Sequence, residues 1–324
     1  MKYYLGVDGG GSKTYTLIVD ELGTIVGKGN SGNGNHQTGY ETAKRNIRES
    51  VEMALAEAGL KREDIEFAYF GLAGADREID YRILRPMIAE LGFPRHEINC
   101  DTMIALRAGT DRPYGVVLIC GTGSNSAGVN AKGQFFQCGG FTYLYGDFGG
   151  GGSLCVEVFR SVIRAWDGRE RPTMLTRLLL DDLGYDNVQA MFDDYLDHNK
   201  VPPIRVAKLL FQAAGEGDEV AQAILRHQGE ELGRSAKAVI RRLCMENDSF
   251  DVVLAGSIVT RGEGDFVHAS IRQAVKEAAP GAKVVKLQVE PVVGAVWLAV
   301  EASGIPLPEL IYDRLRTVSE YSSV

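Results

Sequence analysis

Residues 3–29 read YYLGVDGGGSKTYTLIVDELGTIVGKG, and this stretch decides the fold class. β-branched and aromatic residues fill three short runs, which turns at Gly9–Gly11 and at Leu22–Gly23 separate. Runs of this kind predict three strands joined by hairpins. The first turn is not a Walker A loop, because Ser12 stands where that loop has its lysine and a strand, rather than a helix, follows.

The same pattern of strands and turns starts again at residue 114. An apolar run, YGVVLIC, leads into a turn at residues 121–124, and two further short strand patterns follow up to residue 139. Two glycine-rich hairpins can resemble each other by coincidence, or they can mark two similar domains that face one cleft. The second interpretation agrees with the length of 324 residues, since about 150 residues per domain predicts two domains.

Helical patterns alternate with strand patterns along the rest of the chain, which indicates an α/β protein. The first helix is predicted at about 40–58, with Gly59 as its C-terminal cap. The second is predicted near 78–91, where Pro86 should bend or shorten it. We predict a first domain at 1–112, a second at 113–303 with a helical insertion at about 153–247, and a segment at about 304–324 that could return to the first domain.

The composition excludes several classes of protein. The chain has 35 basic and 43 acidic residues, a net charge of −8, and no basic stripe, so no nucleic-acid partner is expected. Its five cysteines form no C-x-x-C pair, which disfavours a zinc ribbon, a redox motif and a disulfide framework. The longest apolar run, Val292–Val300, is much shorter than the roughly 18 residues of a membrane span. Because the start shows no apolar signal region, we expect a cytoplasmic protein without membrane contact.

Both glycine hairpins have the residue types of a phosphate site. Without a Cβ in the way, the backbone N–H groups of Asp8–Thr14 and of Gly121–Asn125 can donate to phosphate oxygens, although plain hairpins have the same appearance. Asp8 ends a strand and could hold Mg²⁺ through water. Asp101 also follows a strand, where it is placed either for an active-site cleft or as the N-cap of a helix at 103–108.

The order and spacing of these motifs resemble the sugar-kinase branch of the actin/hexokinase-like ATPase superfamily. More closely, the chain resembles the N-acetylglucosamine kinase and BadF/BadG/BcrA/BcrD ATPase family. The likeness extends over nearly the whole chain, from Asp8 to Pro291–Ala295, and includes the segment Cys138–Phe141 and the strand that ends in Ala255–Ser257. Each motif is loose by itself, whereas their joint order is specific.

The resemblance implies two duplicated ribonuclease-H-like domains, the actin-like ATPase fold, around a nucleotide cleft. It implies ATP and Mg²⁺ as cofactors, a homodimer, and a hexose or amino sugar as substrate, with N-acetylglucosamine or glucosamine favoured. Asp101 falls where the family keeps its catalytic base, and Asp8 near the magnesium. The implied phosphate-binding residues are Gly9, Gly10, Gly11, Ser12, Lys13, Thr14, Gly121, Thr122 and Gly123; those for the nucleoside are Gly256 and Ser257; those for the sugar are Asn35, His36, Asp101, Ser124 and Asp147.

The chain departs from the family pattern at three places. Phe148 replaces an acidic residue, Gln37 stands where the animal enzymes carry tryptophan, and Ser257 replaces a glycine. The first two put the identity of the sugar in doubt. Two other classes stay open, an ATPase that drives a partner protein and a sugar-responsive regulator. Scattered cysteines argue against the iron–sulfur cluster of the former, and only seven residues precede Asp8 for the DNA-binding motif of the latter.

Overall fold

The computed structural model describes residues 1–319, and its first sheet confirms the strands predicted from the opening stretch. The strands are β1 (Tyr3–Gly9), β2 (Thr14–Asp20), β3 (Ile25–Ser31), β4 (Ile65–Leu72) and β5 (His96–Cys100). Their order is β3-β2-β1-β4-β5, with β1 antiparallel to β2 and parallel to β4. The first hairpin therefore lies between the two central strands of this half.

The second sheet repeats the topology of the first. Its strands are β6 (Gly115–Cys120), β7 (Ser124–Val129), β8 (Phe135–Cys138), β9 (Asp251–Ala255) and β10 (Lys283–Lys286). Their order is β10-β9-β6-β7-β8, with β6 antiparallel to β7 and parallel to β9. Each sheet thus has one meander of three strands and two parallel additions, which confirms the prediction of an α/β protein with two similar domains.

Twelve α-helices cover the sheets within the described residues. They are α1 (Tyr40–Ala58), α2 (Glu78–Ala89), α3 (Asp101–Gly109), α4 (Gly151–Trp166), α5 (Leu175–Leu183), α6 (Val188–Asp197), α7 (Lys208–Gly215), α8 (Glu219–Arg242), α9 (Ser257–Thr260), α10 (Phe266–Ala278), α11 (Pro291–Ala302) and α12 (Glu309–Leu315). Gly59 caps α1 with φ +65°, as predicted, and α2 ends three residues after Pro86. Helices α4 to α8 lie between β8 and β9, and a helical insertion at about 153–247 stays a prediction.

Two helices join the halves of the molecule. Helix α3 follows the first sheet, yet its Ala105 and Leu106 pack with Val117 and Val253 of the second sheet. Helix α11 follows the second sheet but packs on the first, where a Cβ at Gly6 would lie 2.6 Å from the backbone nitrogen of Val296. Each of these helices therefore packs on a sheet other than the one it follows in the chain. The predicted domain bounds stay a prediction.

The segment after α11 also packs on the first half. Ile311 and Leu315 of α12 are buried in one cluster with Tyr4, Leu17 and the helix α11 residue Trp297. Of the segment predicted to return to the first domain, residues 320–324 lie outside the described residues. Between residues 1 and 319, every helix is too short or too polar to cross a membrane.

Candidate active site

The two glycine hairpins meet in the cleft between the sheets. The hydroxyl oxygens of Ser12 and Thr122, one from each hairpin, lie 3.3 Å apart, within hydrogen-bond distance. Both side chains are exposed, so the hydroxyls face a space that is open to a ligand. The repeated topology brings this about, because β1 and β6 are the corresponding central strands of two similar sheets. The prediction of two facing hairpins is confirmed.

Each hairpin closes with a bond of its own backbone. The Gly10 N–H donates to the Lys13 carbonyl at 2.9 Å, and the Gly121 N–H donates to the Gly123 carbonyl at 2.9 Å. These bonds fix the turns and leave the intervening N–H groups at the tips for a ligand. A tight turn of glycines is a common cradle for phosphate oxygens, because backbone donors can approach without steric interference.

The predicted phosphate-binding residues divide into exposed and buried ones. Thr14 is buried, and its hydroxyl donates to the Gly32 carbonyl at 2.8 Å. Gly9 is buried against Leu72. The Lys13 ammonium donates to the Tyr15 hydroxyl at 3.2 Å. The exposed residues at the two tips are Gly11, Ser12, Lys13, Thr122 and Gly123, with Gly10 and Gly121 half-buried beside them.

Carboxylates collect beneath the first hairpin. Burial, together with the negative charges of Asp101 and Glu290, raises the pKa of Asp8 to about 8. Burial likewise raises the pKa of Asp101 to about 6, against a hydrogen bond from the Cys100 thiol that lowers it. Helix α3 begins at Asp101, two residues before the predicted start, so Asp101 is the first helical residue rather than the cap. A negative charge at this end of a helix is favourable.

The side chains near Asp8 can supply only some of the ligands that a magnesium ion needs. Among the described residues, no cluster of three or more His, Cys, Asp and Glu side chains could hold a metal by itself. Mg²⁺ prefers oxygen ligands and keeps several waters, so one carboxylate, water and phosphate oxygens would suffice. A divalent cation would also offset the repulsion between Asp8, Asp101 and Glu290. These residues therefore fit Mg²⁺ that arrives with a nucleotide.

Four residues that the sequence did not single out, or did not place here, surround Asp101. The Cys100 sulfur lies 3.3 Å from a carboxylate oxygen of Asp101 and 3.3 Å from one of Asp76, and its single proton can donate to one of them at a time. Gln137 donates its amide to Asp76 at 2.8 Å, and the Asn125 amide lies 3.9 Å from the Cys100 sulfur. Because Gln137 and Asn125 come from the second sheet, this network crosses the cleft.

A cavity of about 260 Å³, which we call the loop cavity, opens beside this network. Asp147 lies in its wall and accepts the N–H groups of Gly140 and Phe141 at 3.2 and 2.6 Å. The ring of Phe148 packs on the ring of His227, with centroids 4.4 Å apart. The lining consists of residues 124–126, 138–141 and 145–148 from the sheet and its loop, and of Glu231, Leu232 and Ser235 from helix α8.

Asn35 and His36 do not line the loop cavity, in contrast to Ser124 and Asp147 of the same predicted sugar-binding set. The Asn35 side chain accepts the Gln37 N–H at 2.9 Å. His36 is buried, and its Nε2 lies 3.4 Å from a carboxylate oxygen of Asp80. The Gln37 amide also contacts Asp80, at 3.3 Å. Asn35 thus contacts its own loop and His36 contacts helix α2, whereas Ser124 and Asp147 line the loop cavity and Asp101 adjoins it. Their roles toward a sugar stay a prediction.

A larger cavity of about 860 Å³ begins at Gly121 and Thr122 and extends to Ser257, where the nucleotide is predicted, and we call it the nucleotide cleft. Gly256 has φ +91°, and a Cβ there would lie 2.5 Å from the Cys120 carbonyl, so only glycine lets β9 end this close to the second hairpin. Sequence reasoning missed several lining residues because nothing local marks them, and these include Ile204, Phe211 and Arg261.

Comparisons with known proteins agree with this geometry. The N-acetylmuramic acid/N-acetylglucosamine kinase of Clostridium acetobutylicum is 31% identical over 306 residues, which cover 92% of this chain and 98% of that protein. The N-acetyl-D-glucosamine kinase of Dictyostelium discoideum is 28% identical over 314 residues, with 92% and 98% covered. A candidate N-acetylglucosamine kinase from Chromobacterium violaceum has a crystal structure that matches with a TM-score of 0.71 at 25% identity, covering 92% of this chain and 99% of that one.

The fold is also shared with more distant proteins, such as a glucokinase from Streptomyces griseus, with a TM-score of 0.60 at 18% identity over 92% of this chain and 99% of that one. A sequence model of one family matches residues 5–299, which is most of the chain and includes both hairpins, Asp101 and both cavities. The chain belongs to the BadF/BadG/BcrA/BcrD ATPase family.

Proposed function

We propose that the protein is an ATP-dependent kinase that phosphorylates a hexose or amino sugar, with N-acetylglucosamine or glucosamine as the favoured acceptor. One observation carries this proposal: the two hairpins meet at Ser12 and Thr122, between the nucleotide cleft and the carboxylate network next to the loop cavity. A nucleotide phosphate and a small acceptor can therefore approach each other there. The names of the curated relatives support a sugar as that acceptor.

In this mechanism Asp101 is the general base. Its carboxylate would accept the proton of the attacking sugar hydroxyl, and with a pKa raised to about 6 it is still ionised at neutral pH. The raised pKa makes it a better base than an ordinary aspartate, because catalysis is most efficient when the pKa lies near the working pH. The neighbouring thiol of Cys100 can donate to this carboxylate, and the same sulfur lies 3.3 Å from Asp76.

The hairpins bind and orient the phosphates. Their tip N–H groups and the hydroxyls of Ser12 and Thr122 are donors toward oxygens whose charge shifts during transfer. Asp8 would hold Mg²⁺, through water, and the ion supplies charge neutralisation at the phosphates when it is bound. Closure of the two halves around the cleft would exclude water, which competes with the sugar as an acceptor.

The test is ADP release with and without a panel of glucosamine, N-acetylglucosamine and glucose. We expect one of these sugars to stimulate release, and Asp101→Asn to lower the stimulated rate by a factor on the order of 10² or more while nucleotide still binds. Asp186→Asn is the matched control, because Asp186 is an exposed aspartate of the predicted helical insertion. Its sugar-stimulated rate of ADP release should equal that of wild type. ADP release that no sugar stimulates would favour the alternative function, an ATPase that drives a partner protein. Normal turnover by Asp101→Asn would show that Asp101 is not the general base.

A homodimer stays part of the proposal. Light scattering of the purified protein at several concentrations tests it directly, and a mass of one chain throughout would contradict it. The calculated mass of one chain is 35.2 kDa.

A further inference from the structure

The charged side chains in the wall of the loop cavity are all acidic. Asp147 comes from the loop after β8, and Glu231 comes from the middle of helix α8. Among the residues that the structure describes, no lysine, arginine or histidine joins this lining. Asp101 and Asp76, next to the cavity through the Cys100 and Asn125 contacts, add further carboxylates. A molecule in the cavity therefore meets acidic side chains and no basic side chain of the lining.

Arg234 and His227 of the same helix α8 lie near Glu231. Arg234 forms an ion pair with Glu231, but its side chain is 66% exposed and is not part of the lining. His227 approaches Glu231 only at 3.9 Å, and its ring packs on Phe148. Asp147 forms no ion pair with any residue between 1 and 319, and its two oxygens accept the backbone N–H groups of Gly140 and Phe141. The cavity keeps a net negative lining.

We propose that the loop cavity selects neutral and positively charged hexosamines and rejects sugars that carry a carboxylate, and that Glu231 is one of the residues that determine this selection. The inference rests on the proposed kinase function. A carboxylate placed in the cavity would lose its water and find no cation in the lining, which is costly for a charged group. It would also meet Asp147 and Glu231 as like charges, a repulsive element of the kind that produces specificity.

The volume of the cavity agrees with a single sugar ring. About 260 Å³ lies below the ~300–1,000 Å³ of sites for drug-sized ligands. The Clostridium acetobutylicum relative is named for both N-acetylmuramic acid and N-acetylglucosamine, and these two sugars differ by a lactyl ether that carries a carboxylate. The two sugars, with the methyl ester of N-acetylmuramic acid as a third, therefore form a suitable set of probes.

The experiment compares kcat/KM for N-acetylglucosamine, N-acetylmuramic acid and its methyl ester. The ester keeps the bulk of the lactyl group and removes its charge, so it separates charge from size. We expect kcat/KM for N-acetylmuramic acid to be at least about tenfold lower than kcat/KM for its methyl ester. In Glu231→Gln we expect the ratio of kcat/KM for the ester to kcat/KM for the acid to fall about fivefold. This is the size of one like-charge contact at a partly exposed site. Glu230→Gln is the matched control, since Glu230 is exposed, lies outside the lining and should leave this ratio unchanged.

Three results would overturn the inference. Equal kcat/KM for the acid and the ester would show that charge is not selected against, whether both are used well or both are rejected for their size. An unchanged ratio in Glu231→Gln would remove Glu231 from the role. Absence of turnover with every sugar, glucosamine and glucose included, would overturn the proposed kinase function and this inference with it.

Discussion

The crossing of helices α3 and α11 offers a sharp test of the fold, through the substitution Gly294→Ala. A Cβ built on Gly294 lies 2.0 Å from the Ile104 carbonyl oxygen and 2.9 Å from the Ala108 backbone nitrogen. Ordinary contacts of a Cβ begin at 3.4 Å. Both neighbours are backbone atoms that cannot rotate away, so the two helices must separate by about 1.4 Å, the difference from the shorter distance.

Two opposing effects set the size of the change. Overpacking of a well-filled interior costs about 1–3 kcal/mol, and a clash with backbone belongs at the upper end. Alanine in place of glycine inside a helix recovers roughly 0.5–1 kcal/mol, because glycine has more backbone freedom to lose on folding. The cost of the clash therefore exceeds the gain, and the free energy of unfolding should fall by about 2 kcal/mol. At about 2–4 °C per kcal/mol for domains of this size, Tm should fall by about 4–8 °C.

Thermal unfolding of the nucleotide-free protein measures this change. Gly215→Ala is the matched control, because Gly215 ends helix α7, has no atom within 4 Å of its Cβ position and should leave Tm unchanged or slightly higher. Gly215 lines the nucleotide cleft, so it serves as a control for stability alone. Since Asp101 starts the helix that is displaced, kcat for ADP release should fall as well in Gly294→Ala. A Tm equal to or above that of wild type would refute the close crossing.

Three further predictions concern the catalytic chemistry. Because the base must be ionised and the pKa of Asp101 is raised to about 6, kcat/KM for the sugar should fall about tenfold per pH unit below pH ~6 and level off above it; a pH–rate profile that stays flat down to pH 5 would contradict this. Asp8→Asn should weaken the Mg²⁺ dependence of the Tm increase that a non-hydrolysable ATP analogue produces, measured by Mg²⁺ titration, and an unaltered dependence would exclude Asp8 from the metal site. Gly256→Ala places a Cβ 2.5 Å from the Cys120 carbonyl at φ +91°, so KM for ATP should rise by about an order of magnitude, whereas an unchanged KM would show that the end of β9 does not shape the nucleotide cleft.

The hairpins were predictable because their signal is local. Alternation of β-branched residues with glycine turns is enough to mark β1 to β3 and β6 to β8, and the αL cap at Gly59 follows from the same turn chemistry. The contact of Ser12 with Thr122 was predictable only as a consequence of the repeat, since two copies of one topology place equivalent turns face to face.

The walls of the cavities could not be predicted in the same way. Glu231 lies in a long amphipathic helix, where a charged residue has the sequence pattern of a solvent-exposed face. Asp76 follows β4 in a short loop, and its contacts with Cys100 and with Gln137 of the second sheet make it part of a network. The apolar run in helix α11 predicts a buried helix, but periodicity alone does not say which sheet it covers. These features depend on contacts between residues far apart in the chain.

The position of Asp101 follows from the same long-range packing and bears on how the cleft can move. Asp101 directly follows β5 of the first sheet and begins helix α3, which packs on the second sheet and crosses helix α11 at Gly294. The hairpin tips are joined by one exposed hydroxyl contact, worth about 0.5–1.5 kcal/mol, whereas the crossing is close-packed backbone. A rotation of one sheet against the other therefore meets least resistance at the hairpins and most at the crossing. Because Asp101 lies near that crossing, such a rotation would move it least, and the proposed phosphate and sugar sites would move relative to the proposed base.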